Sequence, residues 1–223
     1  MVLLPGSSIP PVILTLLIIL PVLSSFLIPQ LGLNGGIVLS FLLLSFWTLA
    51  TYSTGSDSYA FLGRCCLGLV WVGFLGAHIL MIRQLPEGNS WLLILTGITA
   101  GSDSGAYYVG RAFGKHKLSP LVSPNKTIEG AVGGVVVGMV VAALLAQLLL
   151  TTVPWAFVLV SAVCLGGVGI CGDLVESIIK RATATKDSGT LLGGHGGILD
   201  RADSILFAAP VLYYLLSFCS YPI

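Results

Sequence analysis

Five of the chain's nine carboxylates fall in three short runs, each beside the end of an apolar stretch. Asp103 stands in GSDSGAYYVGRAFG with Ser102 and Ser104 on either side and Gly101 and Gly105 beyond them, so another backbone can come close. In GDLVESIIKR, Asp173, Glu176, Ser177 and Lys180 follow i, i+3, i+4, i+7 spacing, which on a helix aligns two carboxylates, a hydroxyl and an ammonium along one stripe. In LLGGHGGILDRADS, Asp200 and Asp203 stand three apart, and His195 sits among glycines that expose backbone N–H groups. Ionisable groups so near hydrocarbon are costly and read first as functional. Asp103 taken alone reads equally well as a hydrogen-bonding group between helices. For the GDLVESIIKR stripe, direct continuation from an apolar run outweighs a solvated salt-bridge face.

Paired carboxylates at the ends of two helices can hold a hard cation through oxygen ligands. Magnesium keeps several waters and needs only one or two carboxylates beside phosphate oxygens, so not every acid here is a direct ligand. That chemistry points to phosphates. The basic counterpart is GRAFGKHKLSPLVSPNKTIEG, between Asp103 and the next apolar run. Ser123 followed by Pro124 predicts a helix start, with Lys126 and Thr127 at an anion-favouring N-terminus. Read alone, this loop is better explained as a topology determinant or an anchor for anionic headgroups. No P-loop is present, because Gly110 to Lys115 reads GRAFGK, and there is neither a G-x-S-x-G elbow nor an H-E-x-x-H helix.

The elements that carry these groups are expected to be membrane spans. Hydrophobic residues make up 56% of the chain and charged ones 9%, against about a quarter charged in soluble domains. A mean hydropathy of +1.01 leaves too few polar residues to cover a soluble globule. Apolar runs of roughly span length number about seven: 11–29, 36–51, 65–82, 91–110, 130–150, 154–171 and 204–220. The predicted fold is therefore all-α, a polytopic transmembrane helical bundle. Pro21 and Pro210 are expected to kink their spans, and Gly130, Gly134 and Gly138, four apart, to form a close-packing face rather than a ligand site. The five cysteines lie in or beside apolar runs with no C-x-x-C pair, so neither zinc nor a disulfide framework is indicated. The first run has no basic segment or cleavage site and reads as a retained span. A net charge of +1 does not support nucleic-acid binding by bulk electrostatics. With a cytoplasmic N-terminus, the inner loops would hold every lysine and arginine except Arg83, which orients the acidic motifs inward.

These motifs resemble those of the phosphatidate cytidylyltransferase (CDP-diacylglycerol synthase) family. The resemblance rests on SIIKRATATKDSGTLLGGHGGILDRADS from Ser177 to Ser204, and on D-S-G-A-Y at Asp103, G-R-x-F-G-K-H-K-L at Gly110, S-P-x-K-T-x-E-G at Ser123 and G-D-L-x-E-S at Gly172. It covers the chain from Gly101 onward; the first hundred residues share only hydropathy. Gly193 replaces the proline usual before G-H-G-G. The chain is shorter than typical members and lacks their basic opening, as if a first span were missing.

The resemblance implies transfer of CMP from CTP to phosphatidic acid with Mg2+, and room for a second cation. It implies Asp173 and Asp200 as metal ligands, with Asp103, Glu176 and Asp203 beside them, and Lys180, Arg201 and Asp203 as catalytic groups. Lys126, Lys180, Arg181, Lys186 and Arg201 would neutralise phosphates, and Ser123, Thr127, Asp187 and His195 would contact substrate. Residues 1–100 would be a scaffold of lipid-facing helices and 101–223 the catalytic part. The expected partners are CTP, phosphatidic acid and membrane lipid, with no nucleic acid, and a homodimer is allowed. The expected location is the inner membrane, with the site facing the cytoplasm. Two rival readings are a CTP-dependent lipid kinase of the polyprenol type, which shares part of the signature, and a transporter, for which no internal repeat is visible.

Overall fold

Among the described residues, each of the seven apolar runs coincides with most of a helical segment, as expected where no water is present to satisfy backbone groups and the helix satisfies them internally. The computed structural model describes residues 9–28, 30–53, 57–150, 152, 155–183 and 199–218, the side chains of 199–201 excepted. Its helices are α1 (Pro11–Leu27), α2 (Gly32–Ala50), α3 (Ser58–Gly68), α4 (Leu75–Gln84), α5 (Gly88–Phe113), α6 (Ile128–Leu149), α7 (Trp155–Ala182) and α8 (Leu199–Phe218). A π-helical stretch, Leu69–Phe74, joins α3 to α4, so that Ser58–Gln84 is one continuous segment. By length and composition, Gly32–Ala50, Ser58–Gln84, Ile128–Leu149 and Trp155–Ala182 can each cross a membrane, while α1 and the apolar part of α8 are shorter. The architecture is an all-α bundle of membrane type.

The chain divides into two compact units, Met1–Met81 and Ile82–Ile223. In the first, Pro21 lies inside α1 without ending it. Ser24 Oγ donates 2.8 Å to the Gly32 carbonyl at the start of α2 and 3.1 Å to Pro21 O within its own helix. A Cβ on Gly73 would lie 2.6 Å from Ile18 O, so the π-helical stretch packs against the α1 backbone. Ile9, Leu14, Leu44 and Cys65 form the buried cluster of this unit.

In the second unit the expected glycine face is the seam between α5 and α6. Gly130, Gly134 and Gly138 are buried together with Ala142 and Ala146, continuing the four-residue period. A Cβ on Gly134 would stand 2.6 Å from Ser102 O, and one on Gly130 would stand 2.8 Å from Ala106 O. Residues ascending α6 meet residues descending α5, so the two helices run antiparallel at near-backbone contact. Gly172 brings α7 close to α8, since its Cβ would lie 2.9 Å from Phe207 Cβ.

The helix predicted to start at Ser123 does not form. Residues Ser123–Thr127 are instead a strand, β2, paired antiparallel with β1 (Lys117–Ser119), and α6 begins only at Ile128. Pro120 and Pro124 restrict the residues before them to extended backbone, and Thr127 is the better cap: its Oγ1 accepts from Gly130 N at 3.1 Å. Glu129, in the first turn of α6, fastens the entry to the hairpin. Its carboxylate accepts from the backbone N–H groups of Lys115 and His116 and meets His116 Nδ1 at 2.6 Å.

Candidate active site

The acidic stripe read from GDLVESIIKR is continuous helix, because α7 runs on to Ala182, well past the end of its apolar run. Asp173 and Glu176 therefore share a face, and α8 approaches close beside Gly172 and adds Asp203. Ligand oxygens of Asp173, Glu176 and Asp203 all lie within 4.8 Å of one another. Glu176 and Asp203 are buried, with 3% and 6% exposure.

Two ammonium groups approach these carboxylates. Lys180 Nζ lies 2.8 Å from Glu176 Oε2, and Lys126, from β2, contacts Asp173 Oδ2. The i,i+4 pair weighed above as a solvated surface bridge thus exists, but its acid is buried. Asp203 Oδ1 accepts from Ser204 N at 2.7 Å, and Ser204 Oγ donates 3.3 Å to Gly169 O, tying α8 to α7.

Around this cluster is a cleft of about 650 Å³, a size suited to a small-molecule ligand. One wall is α5, through Asp103, Tyr107 and Arg111; the hairpin supplies Ser123, Asn125 and Lys126; α7 and α8 supply the three carboxylates and Lys180. Three carboxylates from two helices form a hard oxygen donor set able to hold a divalent cation. Arg111, Lys126 and Lys180 line the same cleft, and groups of this kind form charge-assisted hydrogen bonds to phosphate.

Of the residues singled out in the sequence, Asp103, Ser123, Lys126, Thr127, Asp173, Glu176, Lys180 and Asp203 line the cleft. Thr127 does so while its hydroxyl caps α6. Arg181 is exposed near the end of α7, outside the cleft lining. Asp200 and Arg201 lie in the first turn of α8, with side chains outside the described residues, as are Lys186, Asp187 and His195 altogether. Tyr107, Arg111 and Asn125 line the cleft without having been singled out for it. The available signal for Arg111 was its place one helical turn after Tyr107, whose hydroxyl it meets at 3.2 Å.

Such a cleft, set among apolar helices, defines an integral membrane enzyme that handles phosphates. A sequence model described as the cytidylyltransferase family matches residues 3–219. The chain belongs to the cytidylyltransferase family, whose members are nucleotidyltransferases acting with nucleotide and lipid substrates. It is 37% identical over 180 residues to a phosphatidate cytidylyltransferase of Bacillus subtilis, covering 80% of this chain and 66% of that protein. Proteins of the same name from Staphylococcus saprophyticus and Staphylococcus aureus are 38% and 37% identical, each over 90% of this chain and 75% of the relative. The family match starts at residue 3, so the likeness extends through the first hundred residues, beyond the motifs that carried the resemblance.

Proposed function

We propose that the chain transfers CMP from CTP to phosphatidic acid, giving CDP-diacylglycerol and pyrophosphate, with Mg2+ as its metal. The observation that carries this reading is the meeting of Asp173, Glu176 and Asp203 within 4.8 Å in a cleft that also holds Lys126, Lys180 and Arg111. The Bacillus and Staphylococcus relatives described above are named phosphatidate cytidylyltransferase, and the chain spans 66% to 75% of their length.

In this reaction a phosphatidate oxygen bonds to the α-phosphorus of CTP as the bond to the β,γ-pyrophosphate breaks. The nucleophile is already anionic near neutral pH, so alignment and charge neutralisation matter more than a strong base. Bound magnesium would supply Lewis-acid charge neutralisation at the phosphates. Asp173, Glu176 and Asp203 would hold it, with Asp200, three residues before Asp203 on α8, and Asp103 across the cleft as further acids. Lys126 and Arg111 face this cluster from the hairpin and α5 and would bind triphosphate and lipid phosphate, with Lys180 beside Glu176. Lys186, Arg201 and His195, close in sequence to Asp200, extend this basic set, and Ser123, Thr127 and Asp187 complete the proposed substrate contacts.

The reading takes all seven helical segments as spans and sets the cleft at the cytoplasmic face, where the excess of lysine and arginine belongs. Acyl chains then remain in lipid while the headgroup reaches a pocket open to cytosolic CTP. The residues from 101 onward carry the chemistry, and the first hundred act as scaffold.

The test is purified protein with labelled CTP and phosphatidate, with and without Mg2+. CDP-lipid and pyrophosphate that appear only with the metal are expected. CDP released without a CDP-lipid would replace this reading with a lipid kinase.

A further inference from the structure

The β1–β2 hairpin is partly cleft wall and partly exposed. Leu118, Ser123, Asn125 and Lys126 face the cleft. Lys115, just before β1, and Lys117 are exposed and outside that lining, and the turn between the strands carries Leu121, which is 94% exposed. Phe113, at the end of α5, is 69% exposed beside them in sequence. Neither Lys115 nor Lys117 has a carboxylate partner among the described residues, because Glu129 is engaged by His116 and by two backbone N–H groups.

Position adds to composition. The hairpin ends at Thr127 and α6, a segment able to cross a membrane, starts at Ile128 with no linker between. A strand pair this short cannot carry its tip far from the bilayer surface. An exposed leucine and phenylalanine flanked by unpaired lysines suit the boundary between acyl chains and anionic headgroups, where apolar groups dip in and ammonium groups meet phosphate.

We propose that the hairpin is an anchor for an anionic lipid surface, with Leu121 entering the headgroup layer and Lys115 and Lys117 contacting lipid phosphates. It thereby holds the wall of the cleft that carries Lys126 at headgroup depth. This goes beyond the proposed reaction and does not depend on which lipid is the substrate.

The test places the photo-crosslinking residue benzoylphenylalanine at position 121 of the full chain, in nanodiscs of phosphatidylcholine with or without 30% phosphatidylglycerol. Adducts are read by mass spectrometry without any CTP, so the result is independent of the turnover assay. Lipid adducts at 121 are expected, several-fold more abundant with the anionic lipid. That enhancement should disappear in the Lys115→Gln, Lys117→Gln double variant. Absence of lipid adducts, or adducts indifferent to headgroup charge and to the two lysines, would overturn the proposal.

Discussion

Lys126 reaches from the hairpin to Asp173 on α7, forty-seven residues further along the chain, and pairs with its Oδ2. Through that contact the basic loop and the acidic stripe become two sides of one site. Under the proposed reaction, Lys126 would exchange this carboxylate for a phosphate oxygen of the substrate.

Asp173→Asn and Asp203→Asn should each lower CMP transfer by at least about 10²–10³-fold, the scale for losing one well-placed electrostatic group. Insertion and thermal unfolding should stay close to those of the parent. The same is expected of Asp200→Asn under the proposed ligand set. Near-normal turnover in any of the three would remove that residue from the metal site.

Lys126→Ala should act mainly on substrate use, raising the KM for CTP by roughly tenfold, as loss of one charge-assisted phosphate contact would. Lys126→Arg should recover part of the loss, because charge is kept while the point-like ammonium geometry is not. Initial-rate kinetics against CTP and phosphatidate separately would decide it. An unchanged KM for both substrates is incompatible with the assigned role.

Gly134→Ala forces a Cβ to within 2.6 Å of Ser102 O on the facing helix, and overpacking of this kind costs about 1–3 kcal/mol. A fall of several degrees in thermal unfolding in detergent is expected. Gly167→Ala is the control: a Cβ there meets nothing within 4 Å, so stability should hold. Equal behaviour of the two variants would contradict the α5–α6 seam.

Glu129→Ala removes the acceptor for the Lys115 and His116 backbone N–H groups and the partner of the His116 ring. Amide hydrogen exchange over residues 115–127 should accelerate while α7 stays protected, and the KM for CTP should rise because Lys126 rides on the loosened strand. Unaltered exchange would show that the hairpin is held by its strand pairing alone.

Much of this is legible in the sequence. Hydropathy located all seven helical segments, since each run of span length must satisfy its backbone internally. The stripe Asp173, Glu176, Lys180 followed from helical period alone. Ser123-Pro124 suits a helix start or a strand equally well, and strand pairing with Lys117–Ser119 decides for the strand. Glu129 belongs to the S-P-x-K-T-x-E-G motif, but its structural role is not legible there because its partners lie thirteen and fourteen residues away on a chain that doubles back.

Composition and local period were sufficient for the membrane setting, the helices and the phosphate-directed chemistry, because each depends on near neighbours or on bulk transfer into lipid. Tertiary structure alone decided that Asp203 joins Asp173 and Glu176, that Lys126 pairs with Asp173, and that Arg111 shares their cleft. Those meetings depend on how closely α5 nests against α6 and α7 against α8. Glycines permit such approaches, but only the packed partner determines which backbone arrives.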